Sequence, residues 1–181
     1  MRNSLILGVF VLFVAAPAMA QKGYEEYPKA EVSGDYQYIH ANPGGNNCQG
    51  GAGSVAGNLN NWFGVVGEFG GCKVTGQPAG VSAHALNYLF GPRVTYRSYG
   101  SLAPFAHILL GGQRDTASVR GFGSTSTNSF AMAIGGGADY RLTEHFAIRL
   151  IQVEYLYTHF SGTRQNNARI EAGIVYRWGG K

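Results

Sequence analysis

Polar and apolar positions alternate one for one along much of this chain, most clearly between Asn128 and Trp178. Ser129, Ala131, Ala133, Gly135, Gly137, Asp139 and Arg141 interleave with Phe130, Met132, Ile134, Gly136, Ala138 and Tyr140. Further on, Arg169, Glu171, Gly173, Val175 and Arg177 interleave with Ile170, Ala172, Ile174, Tyr176 and Trp178. A period of two is the mark of a strand, because successive side chains point to opposite faces. The same reading places eight strands at residues 30–40, 50–59, 62–71, 82–97, 103–114, 128–140, 145–158 and 167–178. These lengths suit the roughly 9–11 residues a tilted strand needs to cross a bilayer. A soluble sheet would bury its apolar face on a second layer, and no other part of the chain supplies one. The expected architecture is therefore all-β: an eight-stranded antiparallel up-and-down transmembrane barrel, with a polar inside and an apolar outside.

Carrying the alternation through every strand sorts the side chains. Asp35, Gln37, Asn58, Glu68, Arg93, His107, Gln113, Asp139, Arg149, Gln152, Glu154, Arg169, Glu171 and Arg177 fall on the inner face. Tyr36, Tyr38, Phe63, Val65, Phe69, Leu86, Tyr88, Phe90, Val94, Ile108 and Leu110 fall outside, with the sets around Phe130 and Ile170. Arg149 is out of phase with Gln152 and Glu154, so a β-bulge near Leu150 and Ile151 is required to keep all three inside. An eight-stranded barrel is just wide enough for its side chains to fill, and buried charges persist only when paired. Asp35, Glu68, Arg93, His107, Asp139, Arg149, Glu154, Arg169, Glu171 and Arg177 are expected to form an ionic network that plugs the lumen. A narrow low-conductance pore is the alternative reading of the same residues.

The connections at 42–49, 73–81, 115–127 and 160–166 are longer and rich in Gly, Asn, Ser, Thr and Gln. Those at 60–61, 98–102 and 142–144 are shorter. Outer-membrane barrels have short periplasmic turns and long outer loops, and the alternation has that phase. Cys48 and Cys72 flank the second hairpin symmetrically about Asn60. That symmetry pairs Val55 with Val65, Gly57 with Phe63 and Ser54 with Val66, and sets Cys48 opposite Cys72. In an exported chain the pair reads as a disulfide.

The N-terminus indicates export. Arg2, an apolar run from Leu5 to Ala16 and the small-x-small triplet Ala18-Met19-Ala20 make a signal peptide of residues 1–20, cleaved before Gln21. Residues 21–29 are a polar periplasmic leader and 30–178 the barrel domain. No other segment is long and apolar enough for a membrane helix, and without one only a closed barrel satisfies every backbone group in lipid. Of 181 residues, 161 remain after cleavage, and loss of Arg2 takes the formal charge from +4 to +3. With no Lys/Arg run, that balance excludes a nucleic-acid partner. The 28 glycines are about twice the usual share, yet aromatic and β-branched residues are plentiful, which suits a sheet that bends often and not a disordered chain.

Little in the chain points to catalysis or cofactors. Gly135-Gly136-Gly137 lies mid-strand with no helix after it, so it marks bending or close backbone approach and not a phosphate loop. The histidines at 40, 84, 107, 145 and 159 lack metal-ligand spacing. No cofactor or metal is expected. His159 and Ser161, with Glu171 in the next strand, resemble the His-x-Ser-plus-acid arrangement of outer-membrane lipid A deacylases. A serine nucleophile needs its base oriented by the acid. Here His159 and Ser161 share the outward face while Glu171 faces inward, which leaves a lipid-facing hydrolase as an alternative only.

Several segments carry a wider resemblance: residues 57–71 (GNLNNWFGVVGEFGG), 89–97 (LFGPRVTYR), 104–112 (PFAHILLGG), 128–150 (NSFAMAIGGGADYRLTEHFAIRL) and 165–179 (QNNARIEAGIVYRWG). Together they resemble the small outer-membrane β-barrel domain family related to the transmembrane domain of outer-membrane protein A, in an Acidobacteria-like version. The resemblance implies an eight-stranded barrel in the bacterial outer membrane and brings no catalytic residues. It implies a non-enzymatic, structural or surface-interacting monomer. Its partners would be outer-membrane lipid, lipopolysaccharide and the barrel-assembly machinery, which in barrels of this kind reads a terminal aromatic, whereas Trp178 here is displaced by Gly179-Gly180-Lys181. No peptidoglycan-binding domain follows residue 178, so a cell-wall tether is not expected.

Overall fold

The computed structural model describes residues 27–40, 47–98, 100–160 and 163–179. The expected signal peptide, residues 1–20, and most of the leader, 21–29, lie outside them. Eight strands follow one another in chain order: β1 (Ala30–His40), β2 (Asn47–Asn58), β3 (Phe63–Val74), β4 (Val81–Thr95), β5 (Leu102–Val119), β6 (Gly123–Arg141), β7 (Phe146–Phe160) and β8 (Thr163–Trp178). Each pairs antiparallel with the next, and β8 pairs back on β1 from Trp178 with Ala30 to Ala168 with His40, closing the barrel. Closure removes every sheet edge, which lets a sheet stand in lipid.

The register fixes the tilt. A walk from partner to partner round the wall starts at Phe105 and passes Gly137, Gln152, Glu171, Gln37, Gly50, Cys72 and Ala85. It returns to β5 at Asp115, ten residues further along. This stagger is the shear that sets strand tilt and barrel width together.

The alternation read from the sequence is the alternation of the wall. Phe130, Ile134, Ile170 and Ile174 are all exposed on the outer face, while Ala131, Ala133, Arg169 and Glu171 are buried. Exposed aromatics cluster at two heights. Trp62, Tyr96, Tyr140, Phe146, Tyr176 and Trp178 ring the end that carries the termini, and Tyr36, Phe69, Tyr88, Phe130 and Tyr155 lie toward the far end. Two aromatic girdles flanking an apolar band mark a membrane-spanning barrel. The bulge lies where phase requires it: between Arg149 opposite Gly173 and Gln152 opposite Glu171, Leu150 and Ile151 together face Ala172 alone. The triple glycine sits beside it. A Cβ at Gly135 or Gly137 would overlap β7 backbone at Val153 or Ile151, and one at Gly136 would overlap the Phe105 carbonyl of β5.

Three expectations are corrected. The β2–β3 register is centred on Asn61, not Asn60. Val55 faces Gly67, Gly57 faces Val65, Ser54 faces Glu68 and Cys48 faces Val74. The cause is in the turn: Asn60 Oδ1 accepts the Trp62 and Phe63 amides at 2.9 and 2.7 Å, while Leu59 N donates to the Phe63 carbonyl at 2.9 Å. Capping by the Asn60 side chain shifts the loop one residue on, and the pairing sum moves by two, so faces are preserved.

The far-end connections are also shorter than their composition suggests. β5 and β6 pair as far as Val119 with Gly123, leaving only 120–122 between them. Thr116, Thr125 and Thr127 are β-branched and pair well, and Thr116 Oγ1 lies 3.0 Å from Ser126 Oγ. The polar stretch is thus a ribbon standing above the apolar band. Lastly, the inner face is not polar throughout. Leu89, Leu109 and Leu156 are fully buried inside, with Ile39, Ala85 and Ala131 around them.

Candidate functional site

The interior is layered. Nearest the termini, Glu31 meets Arg93, Arg97 at 3.2 Å and Arg177 at 3.6 Å. One level up, Arg149 donates to Asp139 at 3.1 Å and to Asp35 and Ser33 at 3.2 Å, and Ser33 lies 2.7 Å from Ser54. Phe105 lies beside both groups, its ring centre 5.4 Å from the Arg93 guanidinium carbon and 5.0 Å from that of Arg149. Cations on an aromatic face keep part of their stabilisation when desolvated. Arg97 lies past the end of β4, and burial pushes its guanidinium down to about 10 against the pull of Asp139 and Tyr27.

The middle layer is built on Arg169. Its guanidinium meets Glu68, Glu154 and, at 3.5 Å, Glu171, and donates to Asn87 Oδ1 at 3.3 Å. His107 on β5 meets Glu154 on β7 across Gly135 of the strand between them. Gln152 donates to Glu171 at 2.6 Å and to Glu68 at 3.2 Å. The three glutamates offer oxygens within 4.8 Å of one another. That donor set suits a hard cation, but Arg169 stands among the three and supplies the positive charge. Arg169, Gln37, Glu154 and Glu171 are at most 2% exposed.

Leu89, directly opposite Glu68, is buried with Leu109 and Leu156 among these groups, and toward the far end comes the disulfide between Cys48 and Cys72, whose Cα atoms are 5.5 Å apart. The bond runs diagonally, since Cys48 faces Val74 and Cys72 faces Gly50. A cavity of about 470 Å³ opens at this end, lined by Ile39, the disulfide, Ala85, Asp115, Thr127 and Leu156 among others. At the termini end a cavity of about 760 Å³ is lined by Arg97, Arg141, Arg177, Glu144, His145 and Trp178 among others.

All ten residues singled out as lumen charges therefore lie inside, in two clusters with Asp35, Arg93, Asp139, Arg149 and Arg177 below and Glu68, His107, Glu154, Arg169 and Glu171 above. Glu31, Ser33, Asn87, Arg97 and Phe105 were missed. Parity would have found Glu31 and Ser33, which share the phase of Asp35 on β1, and Phe105, which shares that of His107 on β5. His159 is exposed on the outer face and Glu171 is buried in the lumen, so base and acid lie on opposite sides of the wall. Ser161 lies outside the described residues.

The sequence matches the outer membrane protein beta-barrel domain family over residues 8–177. The chain belongs to that family. Solved structures agree on the fold. Neisserial surface protein A is 13% identical with a TM-score of 0.66, covering 83% of this chain and 97% of its own. Ail, the attachment invasion locus protein of Yersinia pestis, is 16% identical with a TM-score of 0.57, covering 85% and 99%. The N-terminal barrel of Pseudomonas aeruginosa OprF is 14% identical with a TM-score of 0.55, covering 84% and 100%. A comparison with curated proteins finds no match. The barrel is thus a bacterial outer-membrane protein of the small, eight-stranded kind related to outer-membrane protein A, with its apolar band in lipid.

Proposed function

We propose that this barrel is a non-enzymatic outer-membrane protein whose lumen is sealed by its own charged side chains. Its working surface is the end that projects beyond the outer leaflet. The carrying observation is the Arg169 layer, in which a cation and three carboxylates meet inside the barrel with Leu89, Leu109 and Leu156 buried among them. Buried charges held this way are expensive to separate, so the layer favours a plug over a conduit. Surface contact is supported by the polar β5–β6 ribbon and by the fold shared with an attachment invasion protein. Planar-bilayer recording on the purified protein tests the plug. The expected record is silent, and steady unitary ion currents would establish the narrow-pore alternative instead. The hydrolase alternative is opposed by the separation of His159 from Glu171 across the wall. Measurable lipid A deacylation that disappears in Ser161→Ala would restore it. The expected partners are outer-membrane lipid and lipopolysaccharide, the assembly machinery, and no second copy of the chain.

A further inference from the structure

Besides Lys29, Arg141 and Glu144 at the termini end and Arg120 at the far tip, the exposed charge on the strands is all basic and lies at one height. Because the register climbs ten residues over eight strands, side chains at equal height shift by a little more than one residue from each strand to the next. Followed that way, His40, Lys73, His84, Arg114, His159 and Arg164 fall within one pleat repeat of a common ring on β1, β3, β4, β5, β7 and β8. All six are exposed. The ring sits at the far edge of the apolar band, just beyond Tyr36, Phe69, Tyr88 and Tyr155.

Two features point to an anion that the protein itself does not supply. Lys73 is the direct cross-strand partner of His84, and His159 that of Arg164. Basic groups set directly opposite each other disfavour the sheet once both are charged. No carboxylate among the described residues faces outward at this height or beyond it. Asp115, the neighbour of Arg114, turns into the mouth and accepts the Gln113 amide at 3.0 and 3.1 Å. Lys73, Arg114 and Arg164 have no ion-pair partner among the described residues.

We propose that this ring is a headgroup collar that binds the phosphates of the phosphorylated glycolipid of the outer leaflet. Lysine offers a point charge and arginine a bidentate fork to phosphate oxygens, and the imidazoles add N–H donors. A soluble polyanion would call for cations gathered on one face. These are spread round the circumference at the height where an aromatic girdle meets headgroups, which selects a lipid. The proposal deepens the partner reading and rests on the barrel standing in the outer membrane.

The test uses the full mature chain in phosphatidylcholine nanodiscs, with thermal unfolding read by heat-modifiable gel mobility. Added lipopolysaccharide is expected to raise the midpoint by several degrees, and the same lipid stripped of its lipid A phosphates to raise it little. The triple variant Lys73→Gln, Arg114→Gln, Arg164→Gln should insert normally and lose at least half of that rise. An undiminished rise in the triple variant overturns the collar, as does a wild type indifferent to lipopolysaccharide. An equal rise with heparin or inorganic phosphate makes the ring a general anion site and overturns the lipid assignment. Should the triple variant fail to insert, Lys73→Gln and Arg114→Gln singly decide it: each must lose part of the rise, and two full rises refute the proposal. Failure of the wild type to insert before any lipopolysaccharide is added overturns the membrane reading and the collar with it. Unitary currents would overturn the plug and leave these midpoint shifts standing.

Discussion

Leu150 and Ile151 are consecutive in the chain and both point out of the barrel, 52% and 47% exposed. Two neighbours on one face of a strand mean one extra residue, and that extra residue brings Arg149 into phase with Gln152 and Glu154. The bulge therefore does bookkeeping for the interior. Deleting Ile151 leaves strict alternation with all three polar residues still inside, so the variant should fold and keep heat-modifiable mobility. Inserting one alanine between Val153 and Glu154 turns Glu154 toward lipid unless a second bulge forms. That variant should fail to acquire the folded gel band in the same refolding assay.

Which side of the wall faces lipid was legible because the rule is binary: parity assigns each residue, and a closed barrel has one inside. Parity alone even located the bulge, since Arg149 and Gln152 could not otherwise share a face. Pairing sums were less legible. Cys48 and Cys72 were set opposite each other from symmetry about Asn60, but hydrogen bonds from Trp62 and Phe63 to the Asn60 side chain moved the turn by one residue. The layering of the lumen was not legible at all. Leu89 and Leu109 lie inside because they share the parity of Arg93 and His107, and a reading that equated the inside with polarity passed them over. The basic collar depends on register round the whole wall, which no single strand displays.

Arg169 and Gln37 are both buried in the middle layer, yet their removal should differ sharply. Arg169 is the cation common to Glu68, Glu154 and Glu171, so Arg169→Met strands three buried carboxylates and should cost about 3–5 kcal/mol. The Gln37 amide atoms have no hydrogen-bond partner among the described residues. Gln37→Met removes polar atoms without orphaning a partner, and should cost less than about 1 kcal/mol. Urea titration of the two variants in lipid vesicles measures the contrast, and equal losses would contradict the layer's design.

The disulfide closes a loop with a sequence separation of 24, which in the chain-entropy model is worth about 3.5 kcal/mol. The double variant Cys48→Ala, Cys72→Ala should lose stability of that order and match the wild type under reductant. Its diagonal course makes a second prediction. Gly50 lies directly opposite Cys72, where a Cβ would overlap the Gly71 carbonyl and the Cys72 Cα. Gly50→Ala should therefore slow formation of the bond, read as residual free thiol during refolding, whereas Gly51→Ala, with only ordinary contact at 3.6 Å, should not.

The inversion of the wall can be tested along a single strand. Ile134 and Ser126 lie on the outer face of β6, the first in the apolar band opposite Tyr155 and the second on the polar ribbon above it. Ile134→Lys places a charge in the apolar band close to the far girdle and should cost more than about 1 kcal/mol. Ser126→Lys leaves its charge in water and should change stability by less than about 0.5 kcal/mol. The residues are eight apart and share a face, so intrinsic strand propensity and register are the same for both, and only the surrounding medium differs. If both lysines were equally tolerated in vesicles, the apolar band would not be facing lipid. If both were equally damaging, the ribbon would be embedded too, and the membrane edge would have to move outward past Arg114 and the collar.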